Sequence, residues 1–356
     1  MLPLVSITLV TYNSGRFIGR CLQSIFAQQY RRLEVIVVDN ASHDSTPQVL
    51  ARYSDRIRLI WNKRNAGFAA AQNQAIAAGS GQWVLVLNPD VELTPGFVAR
   101  LVEAGEEPIA VGEARVGAVC GKLLALGEDM TVPTRPLVDS AGIFFTPTLR
   151  HFDRGSRQPD NGRYEMPEYV FGASAAAALY RREMIEDVSI EGEFFDPDFF
   201  SYREDADVAW RAQLMGWKCL YVPHALGYHV RTVQPWNRSK LPPEINMHSV
   251  KNRFLMRLKN AGASLYLRNL VPITLRDLGV LCYCLLVERS SLPAFRLLRL
   301  AWPRALRKRR WIQQHRRVAD RELARWFRFH PVTFPVPPQQ VLSVPAGSRP
   351  RLGVSR

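Results

Sequence analysis

The sequence predicts an α/β fold, a mostly parallel sheet covered by helices, with a basic helical extension in its C-terminal third. Three observations predict it. Short β-branched runs alternate with helical repeats through the first third of the chain. Polar residues cluster where those runs stop. Charge changes sign along the chain: residues 1–230 carry 22 Lys/Arg against 27 Asp/Glu, and residues 231–356 carry 25 against 5.

Leu4–Val10 is a continuous apolar run and reads as a buried strand. Asn13-Ser14-Gly15 turns the chain. Phe17, Ile18, Cys21, Leu22, Ile25 and Phe26 then fall on one helical face. Glu34–Val38 is a second strand, ending at Asp39-Asn40. Ser45-Thr46-Pro47 opens a helix, with a capping residue before a proline in the first turn. Arg58–Trp61 is a third strand, Ala69–Ala78 an alanine-rich helix, and Trp83–Leu87 a fourth strand ending in Asn88-Pro89-Asp90. Thr94-Pro95 opens another helix, and Val116–Cys120 is a fifth strand. Residues 132–169 are rich in turn formers and read as loops with short strands. Gly172–Tyr180 is small and apolar. Glu204–Met215 reads as a helix with an acidic first turn, Gly216 ends it, and Trp217–Val222 is a strand. From Met247 to Phe329 the pattern is helical and rich in arginine, with Pro303 expected to break or kink it. Six prolines after His330 predict a flexible tail. The expected division is therefore 1–235, 236–330 and 331–356.

The 356 residues are 47% hydrophobic and 22% charged, which excludes wholesale disorder. Five scattered cysteines without a CxxC pair exclude a disulfide framework or a cysteine zinc site and fit a reducing cytosol. No signal peptide is visible, and the longest apolar run, Leu278–Val287, falls short of the roughly 20 residues a spanning helix needs. The chain is thus expected in the cytoplasm. Its net charge of +15 points to a polyanionic surface. Leu297, Leu298, Leu300 and Trp302, interleaved with Arg296, Arg299 and Arg304, read as an interfacial element on the anionic inner face of the cell membrane. A merely solvated basic face is the alternative. Nucleic acid is not expected, because no nucleic-acid motif accompanies the charge.

Five groups of residues carry chemistry. Asn88-Pro89-Asp90 at a strand end is either a turn or a place where a carboxylate holds a divalent metal against a diphosphate. Asp39-Asn40 is either a turn or an acceptor for the imide N–H of uracil or thymine, with Thr11 and Tyr12 on the adjoining strand end. Arg64-Asn65-Ala66-Gly67 before the alanine-rich helix is either packing or a backbone approach to a phosphate, with Arg64 as counter-charge. The run from Phe195 to Arg211 clusters acids at a helix start. Within it, Asp205 shares a face with Val208, Ala209 and Ala212, which leaves a semi-buried carboxylate suited to a general base. His229 gains meaning only as a metal contact beside Asp90. No GxGxxG follows the first strand, which removes the main support for a nicotinamide oxidoreductase.

In order and spacing, these segments resemble the inverting family-2 glycosyltransferases of GT-A fold, and within them the bacterial rhamnosyltransferase branch. The match covers roughly residues 4–260. It is carried by Val5–Asn13, Val37–Ser42, Asn65–Phe68, Leu87–Asp90, Phe171–Ser174, Ala178–Arg182 and Tyr202–Asp207. The resemblance implies that Thr11, Tyr12, Asn13, Asp39, Asn40, Arg64, Asn65, Gly67 and Asn88 hold the nucleotide. It implies that Asp90 and His229, the latter 24 residues beyond Asp205, ligate Mg²⁺ or Mn²⁺. Asp205, with Glu204, would be catalytic, and Gly172, Ala173 and Arg211 would line the sugar and acceptor pocket. The donor would be a dTDP-sugar, dTDP-rhamnose by branch, or a UDP-sugar. The acceptor would be a glycan or lipid-linked hydroxyl in bacterial cell-surface polysaccharide synthesis. A relative that binds a nucleotide-sugar without turnover is the alternative. The chain departs from the family's DxD motif at its first acid, where Asn88 stands, leaving a metal with less protein charge.

Overall fold

In a computed structural model, residues 2–107, 115–127, 129–231 and 243–336 are described. The first half follows the predicted alternation: β1 Val5–Thr11, α1 Ile18–Phe26, β2 Leu33–Asp39, α2 Thr46–Ala51, β3 Arg58–Trp61, α3 Phe68–Ala78, β4 Trp83–Leu87, β5 Val91–Leu93, α4 Phe97–Glu106 and β6 Val116–Ala125. The middle holds β7 Val138–Ser140, β8 Ile143–Phe145, β9 His151–Asp153, β10 Glu168–Val170, β11 Ala177–Arg181, α5 Arg182–Val188, α6 Glu204–Leu214 and β12 Lys218–His229. Then come α7 Pro243–Asn260, α8 Ala263–Arg268, α9 Leu270–Leu286, α10 Pro293–His315, α11 Asp320–Leu323 and β13 Phe334–Pro335.

The sheet runs β13-β10-β12-β6-β11-β4-β1-β2-β3, with β5 on β12 and β7 on β6. Its β4-β1-β2-β3 half is parallel. The other half is mixed, because β11 lies antiparallel between β4 and β6. Strands β1, β4 and β11 are buried along nearly their whole length, as runs of Val, Ile, Leu and Ala demand when helices cover both faces. β12 is longer than the predicted 217–222 run. It continues through an irregularity between Val222 and Leu226 to His229, so its far end pairs with β5.

The C-terminal helices are part of this body. Leu255 and Met256 of α7 and Ala301, Ala305 and Ile312 of α10 share one core with Ala206, Ala209, Trp210 and Leu214 of α6. Much of the basic charge is spent inside the chain. Lys259 of α7 pairs with Asp196 and, at 3.0 Å, with Asp207. The half-exposed Arg304 pairs with Asp198 at 2.5 Å, and the buried Lys308 with Asp196 at 2.6 Å. Removing one partner of such a buried pair costs about 3–5 kcal/mol.

Two expectations, the break at Pro303 and the tail from 331, change here. α10 runs unbroken through Pro303, which stands on its exposed side. The Leu/Arg stretch around Leu297 lies on α10, which docks on the body through Ala301, Ala305 and Lys308 while Leu300 and Trp302 stay exposed. The Pro-rich end does not leave the body at 331: Phe334-Pro335 pairs with β10, and only residues 337–356 lie outside the described part. The expected boundary near residue 235 also lies outside the described residues. A larger outward apolar surface lies on α8 and α9, where Leu267, Val271, Leu275 and Leu286 are each about two-thirds exposed or more. No single helix among the described residues is long and apolar enough to cross a membrane; α9 and the segment Arg289–His315 pass that test only together, bent by 113°.

Candidate functional site

Register aligns the carboxyl ends of the parallel strands. Thr11, at the end of β1, is opposite Asp39, at the end of β2. The Thr11 hydroxyl donates to Asp39 Oδ1 at 2.8 Å, and Ser42 adds its hydroxyl at 2.6 Å and its backbone N–H at 2.9 Å. Asp39 is thereby oriented at the mouth of the sheet. Tyr12 is half exposed beside it. Asn13 adopts a left-handed conformation and receives the His43 N–H at 2.9 Å.

Asn40 is buried and ties the next loop down. Its Nδ2 donates to the Gly67 carbonyl at 3.2 Å, and its Oδ1 accepts from Asn62 at 2.8 Å. Asn65 Oδ1 accepts the Gly67 N–H at 2.9 Å. Gly67 sits at φ 84°, and a Cβ there would lie 2.6 Å from Phe200. The glycine is required by both conformation and space. Arg64 is left exposed at the loop. Thr11, Asp39 and Asn40 are all buried, and the hydrogen bonds of Thr11 and Asn40 fix Asp39 and the Gly67 loop.

The second half of the site is assembled by backbone bonds. The Asn88 N–H donates to the Ala176 carbonyl at 2.9 Å, and the Val230 N–H donates to the Asp90 carbonyl at 3.0 Å. The β5–β12 pairing sets Val91 opposite His229. Asp90 Oδ1 and His229 Nε2 consequently stand 3.4 Å apart. His229 Nδ1 lies 2.7 Å from Asp139 Oδ2, and Arg231 reaches Asp139 at 2.7 Å and Asp153 at 2.7 Å. Burial disfavours a charged imidazole, but Asp90 and Asp139 on its two sides outweigh that and raise its pKa to about 10. Burial opposes ionisation of Asp139, yet His229 and Arg231 hold its carboxyl well below the usual range.

One carboxylate and one imidazole facing each other at the sheet edge fit a divalent cation, with the remaining positions open to phosphate oxygens or water. Among the described residues, no three His, Cys, Asp or Glu side chains converge. The protein therefore offers two donors here, and Asn88 is not a third carboxylate.

Asp205 is half-buried in the first turn of α6. Its Oδ2 accepts the Ala175 N–H at 3.2 Å, next to the Ala176 carbonyl that receives Asn88. This places the acid near the Asn88-Asp90 turn, far from it in sequence. Burial, then the Asp153 charge, raise its pKa to about 6. Glu204 is enclosed, its Oε2 without a hydrogen-bond partner. Burial, then Asp205, raise its pKa to about 8. Phe200, Tyr202 and Arg203, just before α6, all take left-handed backbone conformations. Asn252 of α7 clamps that loop through the carbonyls of Phe199, Ser201 and Tyr202.

Two expected pocket residues have other work. A Cβ at Gly172 would fall 2.2 Å from the Ala209 Cβ, so Gly172 is what lets β10's end pack on α6. Arg211 is fully buried, bound to Asp207 at 3.0 Å and to the carbonyls of Val188 and Phe194. It anchors α6 and is out of reach of an acceptor. Ala173 is buried beside Gly172. Asp139, Asp153, Arg231 and Asn252 join the site without sequence warning, since the 132–169 segment has no period and Asn252 lies in the helical extension.

Comparison with known proteins follows this geometry. The family model described as "Glycosyl transferase family 2" matches residues 6–189. The chain is 29% identical over 252 residues to the N-acetylglucosaminyl-diphospho-decaprenol L-rhamnosyltransferase of Mycobacterium tuberculosis, covering 64% of this chain and 76% of the relative. The fold is similar to that of a mannosyltransferase from Pyrobaculum calidifontis in complex with GDP-Man and Mn²⁺ (TM-score 0.52, 20% identity, 88% of this chain and 84% of the other). It is likewise similar to S. aureus TarS 1-349 in complex with UDP-GlcNAc (TM-score 0.53, 17% identity, 87% and 90%).

Proposed function

The chain is a member of glycosyl transferase family 2, and we propose from that premise that it moves a sugar from a nucleoside diphosphate to an acceptor hydroxyl with inversion. The observation that carries this reading is the placement of Asp205 beside the Asn88-Asp90 turn through Ala175 and Ala176. A carboxylate with a pKa of about 6 is ionised at neutral pH yet basic enough to take a proton as the acceptor oxygen attacks the anomeric carbon. Glu204, with its pKa raised to about 8, stays protonated and enclosed. A single carboxylate acting as base, with none as nucleophile, gives single displacement and hence inversion, by analogy with hydrolases.

Asp39 accepts from the nucleobase edge and Tyr12 offers a ring face for stacking. Asn13, Asn65 and Gly67 shape the ribose and diphosphate channel, with Arg64 as its counter-charge. Asp90 and His229 would hold Mg²⁺ or Mn²⁺, which supplies positive charge to the leaving diphosphate. The donor is assigned as dTDP-rhamnose, supported by the name of the mycobacterial relative, whose acceptor is a lipid-linked diphosphate. The acceptor here is a glycan, lipid-linked and destined for a cell-surface polysaccharide. A location on the inner face of the cell membrane is supported by the outward apolar surface of α8 and α9.

A thermal-shift panel of nucleotide-sugars, with and without Mn²⁺, tests the donor. A shift with dTDP-rhamnose that grows with Mn²⁺ is expected. A shift with only a UDP-sugar replaces the rhamnose assignment, and no shift with any donor overturns the reading.

A further inference from the structure

On α7, Ser249, Arg253 and Arg257 stand four residues apart on one helical face. The Ser249 carbonyl accepts Arg203 Nε at 3.2 Å, two residues before Asp205. This face therefore starts beside the proposed base. Arg253 and Arg257 follow at about 6 and 12 Å along the helix axis. Arg253 is 6% exposed, and its Nε and Nη1 make no hydrogen bond. Arg257 is 5% exposed; Nη2 reaches Asp277 Oδ2 at 2.7 Å, while Nε and Nη1 make none.

Burying guanidinium donors without acceptors is unfavourable, and the unmet Nε and Nη1 of two arginines on one face compound it. Burial, then repulsion from Arg276, Arg150 and Arg257, lowers the Arg253 pKa to about 9. The C-terminal third itself has little to neutralise them with. Residues 231–356 contain five acids, and Asp277 is the one that meets Arg257. Residues 232–242 and 337–356 contain none. A planar fork with open N–H groups matches a phosphate better than any other common anion except a carboxylate. The surroundings narrow the choice. Arg276 and Asp277 lie on α9 between Leu275 and Leu278, both more than half exposed. An anion at Arg253 and Arg257 thus has apolar helix surface on one side, and the Ser249 end of the same face leads to the loop before Asp205.

We propose that Arg253 and Arg257, with Arg150 and Arg276 beside them, form a binding site for the diphosphate of an acceptor carried on an apolar chain. The sugar would extend towards Asp205 and the chain along α9. This deepens the transferase reading and rests on it.

The full-length protein is titrated with farnesyl diphosphate, which has the anion and the apolar chain but no sugar, without metal or nucleotide. Binding that raises the melting temperature is expected, with no shift from farnesol. Arg253→Met and Arg257→Met should each weaken farnesyl diphosphate about ten- to a hundredfold, while Arg253→Lys recovers part of the loss. Each variant should keep the wild-type shift with its nucleotide-sugar, which shows that it is folded. If Arg253→Met does not fold, the surface variant Arg276→Gln should weaken the ligand severalfold. Equal shifts from farnesol and farnesyl diphosphate, or unchanged affinity in the variants, overturn the site. Equal competition from phosphatidylglycerol micelles assigns it to a lipid headgroup and overturns the acceptor assignment. If farnesyl diphosphate binds through these arginines but no nucleotide-sugar binds, the transferase reading fails and the anion site stands.

Discussion

The Asn252 side-chain nitrogen lies 2.8 Å from the Tyr202 carbonyl oxygen and donates to it, joining the helical extension to the loop that presents Asp205. The same nitrogen meets the carbonyls of Phe199 and Ser201 at 2.9 and 2.8 Å. That loop holds Phe200, Tyr202 and Arg203 at φ between 66° and 74°. Each such residue costs on the order of 1–3 kcal/mol, which the surrounding structure must offset. Without Asn252 the loop should relax and carry Asp205 away. Asn252→Ala should lower kcat about ten- to a hundredfold with little change in KM for the nucleotide-sugar. Steady-state kinetics with both substrates varied would check this; an unchanged kcat would show the clamp to be dispensable.

Acid should silence the enzyme through Asp205. Its pKa, raised to about 6, marks where the base is lost as pH falls. The rate should therefore climb with pH up to about 6 and flatten above it. Asp205→Asn should abolish transfer while the donor still raises the melting temperature. Rate profiles of wild type and variant, beside donor thermal shifts, provide the check.

Glu204 predicts the opposite trend in stability. Its folded pKa of about 8 lies above the ordinary carboxylate value, so the folded state retains a proton that the unfolded chain releases. Stability from this group is intact at low pH and declines as pH rises through 8. Glu204→Gln removes the titrating group and should melt higher than wild type at pH 8, with the difference vanishing near pH 4. Melting curves across that range would show it.

The β10–α6 contact is a matter of space. Gly172→Ala sets two Cβ atoms 2.2 Å apart and should cost about 1–3 kcal/mol. Ala209→Gly in the same chain removes the second methyl and should restore much of the loss. Urea unfolding of both single variants and the double variant would measure the coupling.

Metal dependence should follow Asp90 and His229. Alanine at either position should erase the Mn²⁺-dependent part of the donor's thermal shift, and EDTA should do the same to wild type. A metal effect that survives both substitutions would move the cation elsewhere.

Much of the nucleotide half was legible in order along the chain. Strand ends at Thr11, Asp39 and Asn88–Asp90 follow from β-branched runs that stop at polar residues, and parallel register brings such ends together. Less legible was what each polar residue does once enclosed. Thr11 donates to Asp39 and Asn40 donates to the Gly67 carbonyl, pairings that only the folded chain brings about. Gly172 packs on Ala209 of α6 and Arg211 binds Asp207 in the core, since helix position decides which side of α6 a residue serves.

Local pattern alone determined the alternation of strand and helix, the acidic start of α6 and the basic character of the last third, because these depend on neighbours in sequence. Tertiary structure decided where that charge went. Lys259 and Lys308 turned inward to Asp196 and Asp207, whereas Arg253 and Arg257 were buried with open donors. A count of charges cannot separate these outcomes. Whether a buried cation is satisfied depends on which acid the fold carries to it, and the acids that meet Lys259 and Lys308 come from more than 50 residues away.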